Sequence, residues 1–197
     1  MKPARNFNPK PKPDYLTSFT PSIVLSGHHV FADGACVPNP GPGGWGIVAY
    51  LDGQEIYSDN GGDKDATNNT MELTAVLQAI RWATQYPALA ITIWSDSQYV
   101  VKGVNEWRHG WKRNGWKRGG PNATEKNQSL ANAAVWVAID EALTIRRAAN
   151  ISVAWVKGHS GAIGNERADE LAEMGRQSIT EADMPIETDL DVQYRAI

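Results

Sequence analysis

The sequence predicts a mixed α/β domain: a five-stranded sheet, three antiparallel strands then two parallel ones, flanked by helices. Two observations predict it. Strand-like runs flank the dipeptide Asp52-Gly53, the strongest short hairpin signal. From Asn68 onward the apolar period becomes that of a helix, and helices then alternate with short apolar strands, which gives a sheet with helical crossovers.

The folded part begins near His28. Residues 1–27 include Pro3, Pro9, Pro11 and Pro13 and form a weakly structured extension. A short first strand, Val30-Phe31-Ala32-Asp33, ends at the Gly34 turn. Residues 38–44 (Pro-Asn-Pro-Gly-Pro-Gly-Gly) break regular structure. Strands follow at residues 45–50 and 55–57. Leu73, Val76, Leu77 and Ile80 fall at i, i+3, i+4 and i+7 on one helix face, and that helix stops before Pro87. Ile91 and Ile93 mark a buried strand, and short helices cover residues 98–112. A Gly- and Lys-rich loop spans about residues 114–121. Ala134, Val135, Ala138, Ala142 and Ile145 define a second long helix; residues 151–156 form the fifth strand, and a last helix runs from Asn165 to about Gly175. The folded domain is thus placed at 28–178. Residues 179–197, with Glu181, Asp183, Glu187, Asp189 and Asp191, form a loosely attached acidic tail.

Composition bounds the function classes. With 42% hydrophobic residues and eight tryptophans in 197 residues, the chain has a normal core and is not disordered throughout. Its net charge of -3 means that a polyanionic partner is gripped by a local patch, not by the average field. The single cysteine, Cys36, excludes an internal disulfide and a cysteine-rich zinc site. No apolar run is long enough to span a membrane. The basic N-terminus has no apolar signal core, and its prolines spoil an amphipathic presequence, so a cytoplasmic location is expected.

Four acids interrupt apolar elements. Asp33 ends the first strand, Glu72 lies in the first turn of its helix, Asp96 ends the fourth strand, and Asp169 lies in the last helix. Singly, each has a bland reading as a cap, a turn residue or an exposed helix acid. Together they would converge at one sheet edge. Gathered carboxylates repel one another by several kcal/mol unless cations neutralise them. Hard divalent ions such as magnesium suit such oxygen donors, and a pair of them about 4 Å apart can drive phosphodiester hydrolysis. His159, in a loop between Gly158 and Gly161, is either a plain surface histidine or a proton carrier near the acids.

Five motifs extend this reading. They are Asp33-Gly34-Ala35-Cys36 with residues 39–46, Thr67-Asn68-Asn69-Thr70-Met71-Glu72-Leu73, Ser95-Asp96-Ser97-Gln98-Tyr99-Val100, Val156-Lys157-Gly158-His159-Ser160-Gly161, and residues 165–172 around Asp169. In this order they resemble type 1 ribonuclease H of the bacterial form, over about residues 28–175. The resemblance implies a ribonuclease H-like fold and an endonuclease that cuts the RNA strand of RNA–DNA hybrids with little sequence choice, leaving 5′-phosphate and 3′-hydroxyl ends. It implies two magnesium ions, with manganese as a possible substitute: Asp33 bridges them, Asp169 completes one site, and Glu72 and Asp96 complete the other. It further implies that His159 assists proton transfer or product departure and that Glu72 senses the RNA 2′-hydroxyl. Asn39, Asn68, Asn69 and Gln98 resemble residues that touch the hybrid's minor groove, and Thr67 one that holds a DNA phosphate; helix and turn capping is their bland alternative.

Residues 108–118 contain Arg108, Lys112, Arg113, Lys117 and Arg118 and no acid, interleaved with Trp111 and Trp116 and preceded by Trp107. Trp107 and Trp111 share a helix face. This segment, about 107–121, resembles the basic handle of bacterial type 1 enzymes, and Lys126-Asn127 resemble the residues after it. Trp107, Trp111, Lys112 and Lys126 are therefore expected to bind substrate; burial of at least one tryptophan in local core is also expected. The return of the handle is less basic than the family pattern, and Ala131 stands where a larger aromatic is expected. A monomer is expected. The alternatives are an inactive hybrid-binding module, disfavoured because all four acids are present, and another nuclease of the same superfold, disfavoured by the Asn68-Asn69 and Val156-Lys157-Gly158-His159 motifs.

Overall fold

The computed structural model describes residues 26–119, 124, 128–144 and 150–181. The expectations for residues 1–25 and for the tail beyond 181, and the helical placement of Ile145, lie outside these.

The five strands are β1 (His28–Cys36), β2 (Gly41–Leu51), β3 (Gln54–Ala66), β4 (Ile91–Ser95) and β5 (Ile151–Trp155), in the order β3-β2-β1-β4-β5. β1 pairs antiparallel with β2, and β2 with β3; β1 and β4 are parallel, as are β4 and β5. This is the expected mixed sheet. Asp52 and Gly53 both have positive φ, 50° and 83°, the backbone that a tight two-residue hairpin turn demands.

Strand alternation divides the core into two layers. Val30 and Ala32 of β1 face the layer filled by α1 (Asn68–Ala83) and α4 (Ala133–Thr144). Phe31 faces the other way, with Val48, Ala168 and Leu171, against α5 (Ile163–Glu181). Asp33 is two residues beyond Phe31 and so belongs to the α5 face, whereas Gly34 belongs to the α1 face.

Several element ends differ from expectation. β1 does not stop at Asp33: residues 34–36 continue to pair with 43–45. The glycines of residues 41–44 are strand, not a break: a Cβ on Gly44 would run into the α5 backbone, one on Gly43 into Met71 of α1, and one on Gly41 into Pro38. β3 has 13 residues; its middle and end carry polar and glycine residues without alternation, since it is a solvent-facing edge strand. Residues 98–113 form one helical run: α2 (Gln98–Lys102), a π-helical turn (Gly103–Trp107) and α3 (Arg108–Arg113). α5 continues to Glu181, with Ile179 packed beside Gly62 of β3. Among the described residues no helix is long and apolar enough to cross a membrane.

Candidate active site

β1 outruns its parallel neighbour. Its pairing with β4 ends at Phe31–Trp94, so Asp33 stands where the two strands part, with Asp96 just after β4. Asp33 is therefore not strand-terminal; what ends beside it is β4. Close packing brings the remaining acids near. A Cβ on Gly34 would lie 2.3 Å from the Glu72 backbone nitrogen, and one on Gly46, the partner of Asp33 in β2, would lie 2.5 Å from the Ala168 carbonyl oxygen. Only glycine admits α1 and α5 this close, and the contacts set Glu72 and Asp169 on either side of Asp33. A Cβ on Gly158 would lie 2.4 Å from Asp96 Oδ2, so the loop after β5 closes over that acid.

Asp33 is 8% exposed, and its carboxyl is pushed up to about 8. Burial is the main cause, followed by the Asp96 charge; the Gly34 N–H (2.7 Å) opposes it, and Asp169 and Glu72 add to it. Glu72 is raised by burial and by Asp96, against the hydrogen bond donated by Ser97 Oγ (2.5 Å); Asn68 Nδ2 donates to its other oxygen (3.0 Å). Burial also raises Asp96, with Asn165 Nδ2 (3.4 Å) and the His159 charge lowering it and Asp169 raising it. The four acids thus form one electrostatic unit, opposed at Asp33 by the Gly34 N–H and at Asp96 by the His159 charge.

Glu72 lies one turn beyond the start of α1, whose first turn has no acid. It is therefore not a helix-dipole residue. Among the described residues no three His, Cys, Asp or Glu side chains are already grouped tightly enough to hold an ion by themselves. Such a set of oxygen donors suits a hard divalent cation that keeps part of its water shell.

His159 is exposed, in a left-handed turn (φ 48°), and its charge acts on Asp96. Thr67 caps α1, accepting from the Thr70 N–H (3.2 Å), and Asn39 Oδ1 accepts from the Asn68 N–H (3.2 Å). Capping thus accounts for part of what these residues do. Asn69 joins Tyr99, Trp107, Trp111, Arg118 and Leu130 around a cavity of about 520 Å³, with Ala131 also on its wall. Gln98 is exposed and accepts from Lys102 Nζ. Trp107 is 37% exposed, while Trp111 and Trp116 pack against the core. Five residues after Ala131, Trp136 is fully buried against Tyr99 and Trp111. Lys126 lies outside the described residues.

The sequence reading assigned no site role to Ser97, Asn132 or Asn165. Ser97 caps α2 and holds Glu72. Asn132 has φ 58° and accepts from Thr70 Oγ1 (3.1 Å), beside the α1 cap. Asn165 is buried, with its Oδ1 unpartnered. The signals for Ser97 and Asn165 were present in the quoted motifs; Asn132 had none. Ser97→Ala is expected to cost about 1 kcal/mol of stability through the lost cap. It also removes the bond that favours ionised Glu72, so the acid limb of a pH–rate profile moves upward; an unmoved limb would separate Glu72 from the rate.

The sequence model of the family described as RNase H matches residues 26–177. The chain belongs to the ribonuclease H family. It is 47% identical over 152 residues to the ribonuclease H of Cupriavidus metallidurans, covering 76% of this chain and 95% of that protein. It is 44% identical over 155 residues to the ribonuclease H of Rhizobium meliloti, covering 78% and 93%. Among solved structures, LC9-RNase H1, described as a type 1 RNase H with the type 2 active-site motif, superposes with a TM-score of 0.61 at 27% identity, covering 80% of this chain and 75% of that one. The chain is a ribonuclease H hydrolase, and its five-stranded sheet is the ribonuclease H fold.

Proposed function

We propose that this ribonuclease H hydrolyses the RNA strand of RNA–DNA hybrids with two magnesium ions, manganese being a possible substitute, and acts as a cytoplasmic monomer. The observation that carries the reading is the carboxylate unit around Asp33, in which a buried acid is raised to about 8 by burial and three neighbouring acids. When bound, the ions neutralise the acids and the phosphodiester charge and make water a stronger nucleophile.

The side chains divide the work. Asp33, whose carboxyl is coupled to those of Asp96, Asp169 and Glu72, would hold both ions, with Asp169 at one and Glu72 and Asp96 at the other. Asn68 and Ser97 hold the two Glu72 oxygens, so its carboxylate is set to meet an RNA 2′-hydroxyl, the group that DNA lacks. Hydrolysis adds water across the P–O3′ bond. The hydroxyl remains on phosphorus as a 5′-phosphate, and a proton passes to the departing 3′ oxygen. His159, exposed on its turn beside Asp96, is suited to deliver that proton. Asn39, Thr67, Asn68, Asn69 and Gln98 line the approach at the start of α1 and α2, where amide and hydroxyl groups meet sugars and phosphates without reading sequence. Trp107 and Trp111 extend that contact along the handle, and Lys126, after it, adds a cation.

Purified protein with magnesium is expected to cut a labelled RNA–DNA hybrid internally and to leave single-stranded RNA and duplex DNA intact. End-labelling of the products distinguishes 5′-phosphate from 5′-hydroxyl ends. Hybrid that survives across a range of magnesium and manganese concentrations would refute the proposal.

A further inference from the structure

The handle's cations are not equivalent. Residues 108–118 contain no acid, yet the fold supplies one from α4. Asp140 is 3% exposed; its Oδ1 accepts from Arg108 Nη1 at 2.6 Å and its Oδ2 from Lys112 Nζ at 2.7 Å. Arg108 is fixed a second time through Nε to the Val104 carbonyl (2.8 Å), and Thr144 Oγ1 donates to the Asp140 carbonyl (2.6 Å). Burial raises the Asp140 carboxyl, but Lys112 and Arg108 outweigh it and hold it below the usual carboxylate range.

The clamp also sets the aromatic face. Arg108 and Lys112 are one turn apart on α3 and directly follow Trp107 and Trp111. On α4, Trp136 lies one turn before Asp140 and packs against Trp111 with ring centroids 5.1 Å apart. One turn of α4 therefore grips α3 at an aromatic and at two cations. Arg113, Lys117 and Arg118, further out, are exposed; Lys112 is exposed as well, but its Nζ is held by Asp140.

We propose that Asp140 is a positioning residue for hybrid binding: by gripping Arg108 and Lys112 it fixes α3, so that Trp107 and the outer cations Arg113, Lys117 and Arg118 meet the substrate backbone in one arrangement. Arg108 and Lys112 then act chiefly as struts, with little direct phosphate neutralisation. The inference rests on the hybrid-cleaving function proposed above.

The test uses the full chain, wild type beside Asp140→Asn and beside the triple variant Arg108→Met, Lys112→Met, Asp140→Leu. The triple variant removes the clamp without leaving a buried charge unpaired, so it folds even where the single variant is too unstable. Steady-state cleavage of a hybrid is measured, with the salt dependence of hybrid binding followed by anisotropy without divalent ions. Both variants are expected to raise KM by about threefold to tenfold with kcat within about twofold, since loosened positioning weakens binding and leaves the reacting groups in place. The salt slope of the triple variant stays at the wild-type value. Unchanged KM in the folded variants overturns the proposal, and so does a slope shallower by about one or more, which would mark Arg108 or Lys112 as a phosphate contact. Hybrid left intact by the wild type would instead refute the cleaving function itself.

Discussion

Asp33→Asn is expected to lower hybrid cleavage by at least about 10³-fold and, at the same time, to stabilise the metal-free protein. The two effects share a cause. The Asp33 carboxyl is raised from 3.8 to about 8 by burial and by Asp96, Asp169 and Glu72. Between those values the folded protein holds its proton more tightly than the unfolded chain does. The Asp33 contribution to stability is therefore fully present in acid, falls as pH rises above about 4, and is lost by about 8. Metal-free wild type should lose up to about 6 kcal/mol over this window from Asp33, and magnesium should restore much of it at the alkaline end. The Asn variant keeps the shape, cannot ionise and cannot serve as an anionic ligand. Its melting temperature in chelator should exceed that of wild type near pH 8 and respond weakly to magnesium. An Asn variant that melts below wild type at pH 8, or that retains turnover, would contradict the central place given to this carboxyl.

Gly46→Ala is expected to destabilise the fold by about 2–4 kcal/mol and to reduce kcat in the protein that remains folded. The new Cβ would lie 2.5 Å from the Ala168 carbonyl oxygen and 2.6 Å from the Ala172 backbone nitrogen. Both are helix backbone, which cannot turn aside as a flexible side chain does, so α5 must move bodily. Asp169 follows Ala168 and moves with it, away from Asp33. Alanine is otherwise innocuous in a strand, so wild-type stability and kcat would show that the sheet-to-helix distance does not set the site. Denaturant unfolding and single-turnover cleavage measure the two effects separately.

Much of this arrangement was legible in the chain. The hairpin at Asp52-Gly53, the helix through Leu73, Val76, Leu77 and Ile80, and the strand at Ile91–Ser95 follow from local turn chemistry and periodicity, and the structure has them as expected. The errors fall where neighbours decide. Residues 41–44 read as a break because glycine and proline disfavour strands in isolation, yet α5 over Gly44 and Met71 over Gly43 make glycine the residue that fits. Glu72 looked like a first-turn acid because the start of α1 is set by the Thr67 cap, which sequence places only to within a turn. That Asp140, 28 residues away on another helix, holds Lys112 was likewise not legible in the chain.

The sequence by itself determined the order of elements, the acids available for chemistry and, through its five motifs, the family. These depend on residue type and on spacing along the chain, both of which are local. Only the tertiary structure decided that β1 runs past β4, that three glycines admit α1, α5 and the loop after β5 to the acids, and that a buried aspartate grips the handle. Those facts depend on distances between segments far apart in the chain, which close packing sets and no local pattern records.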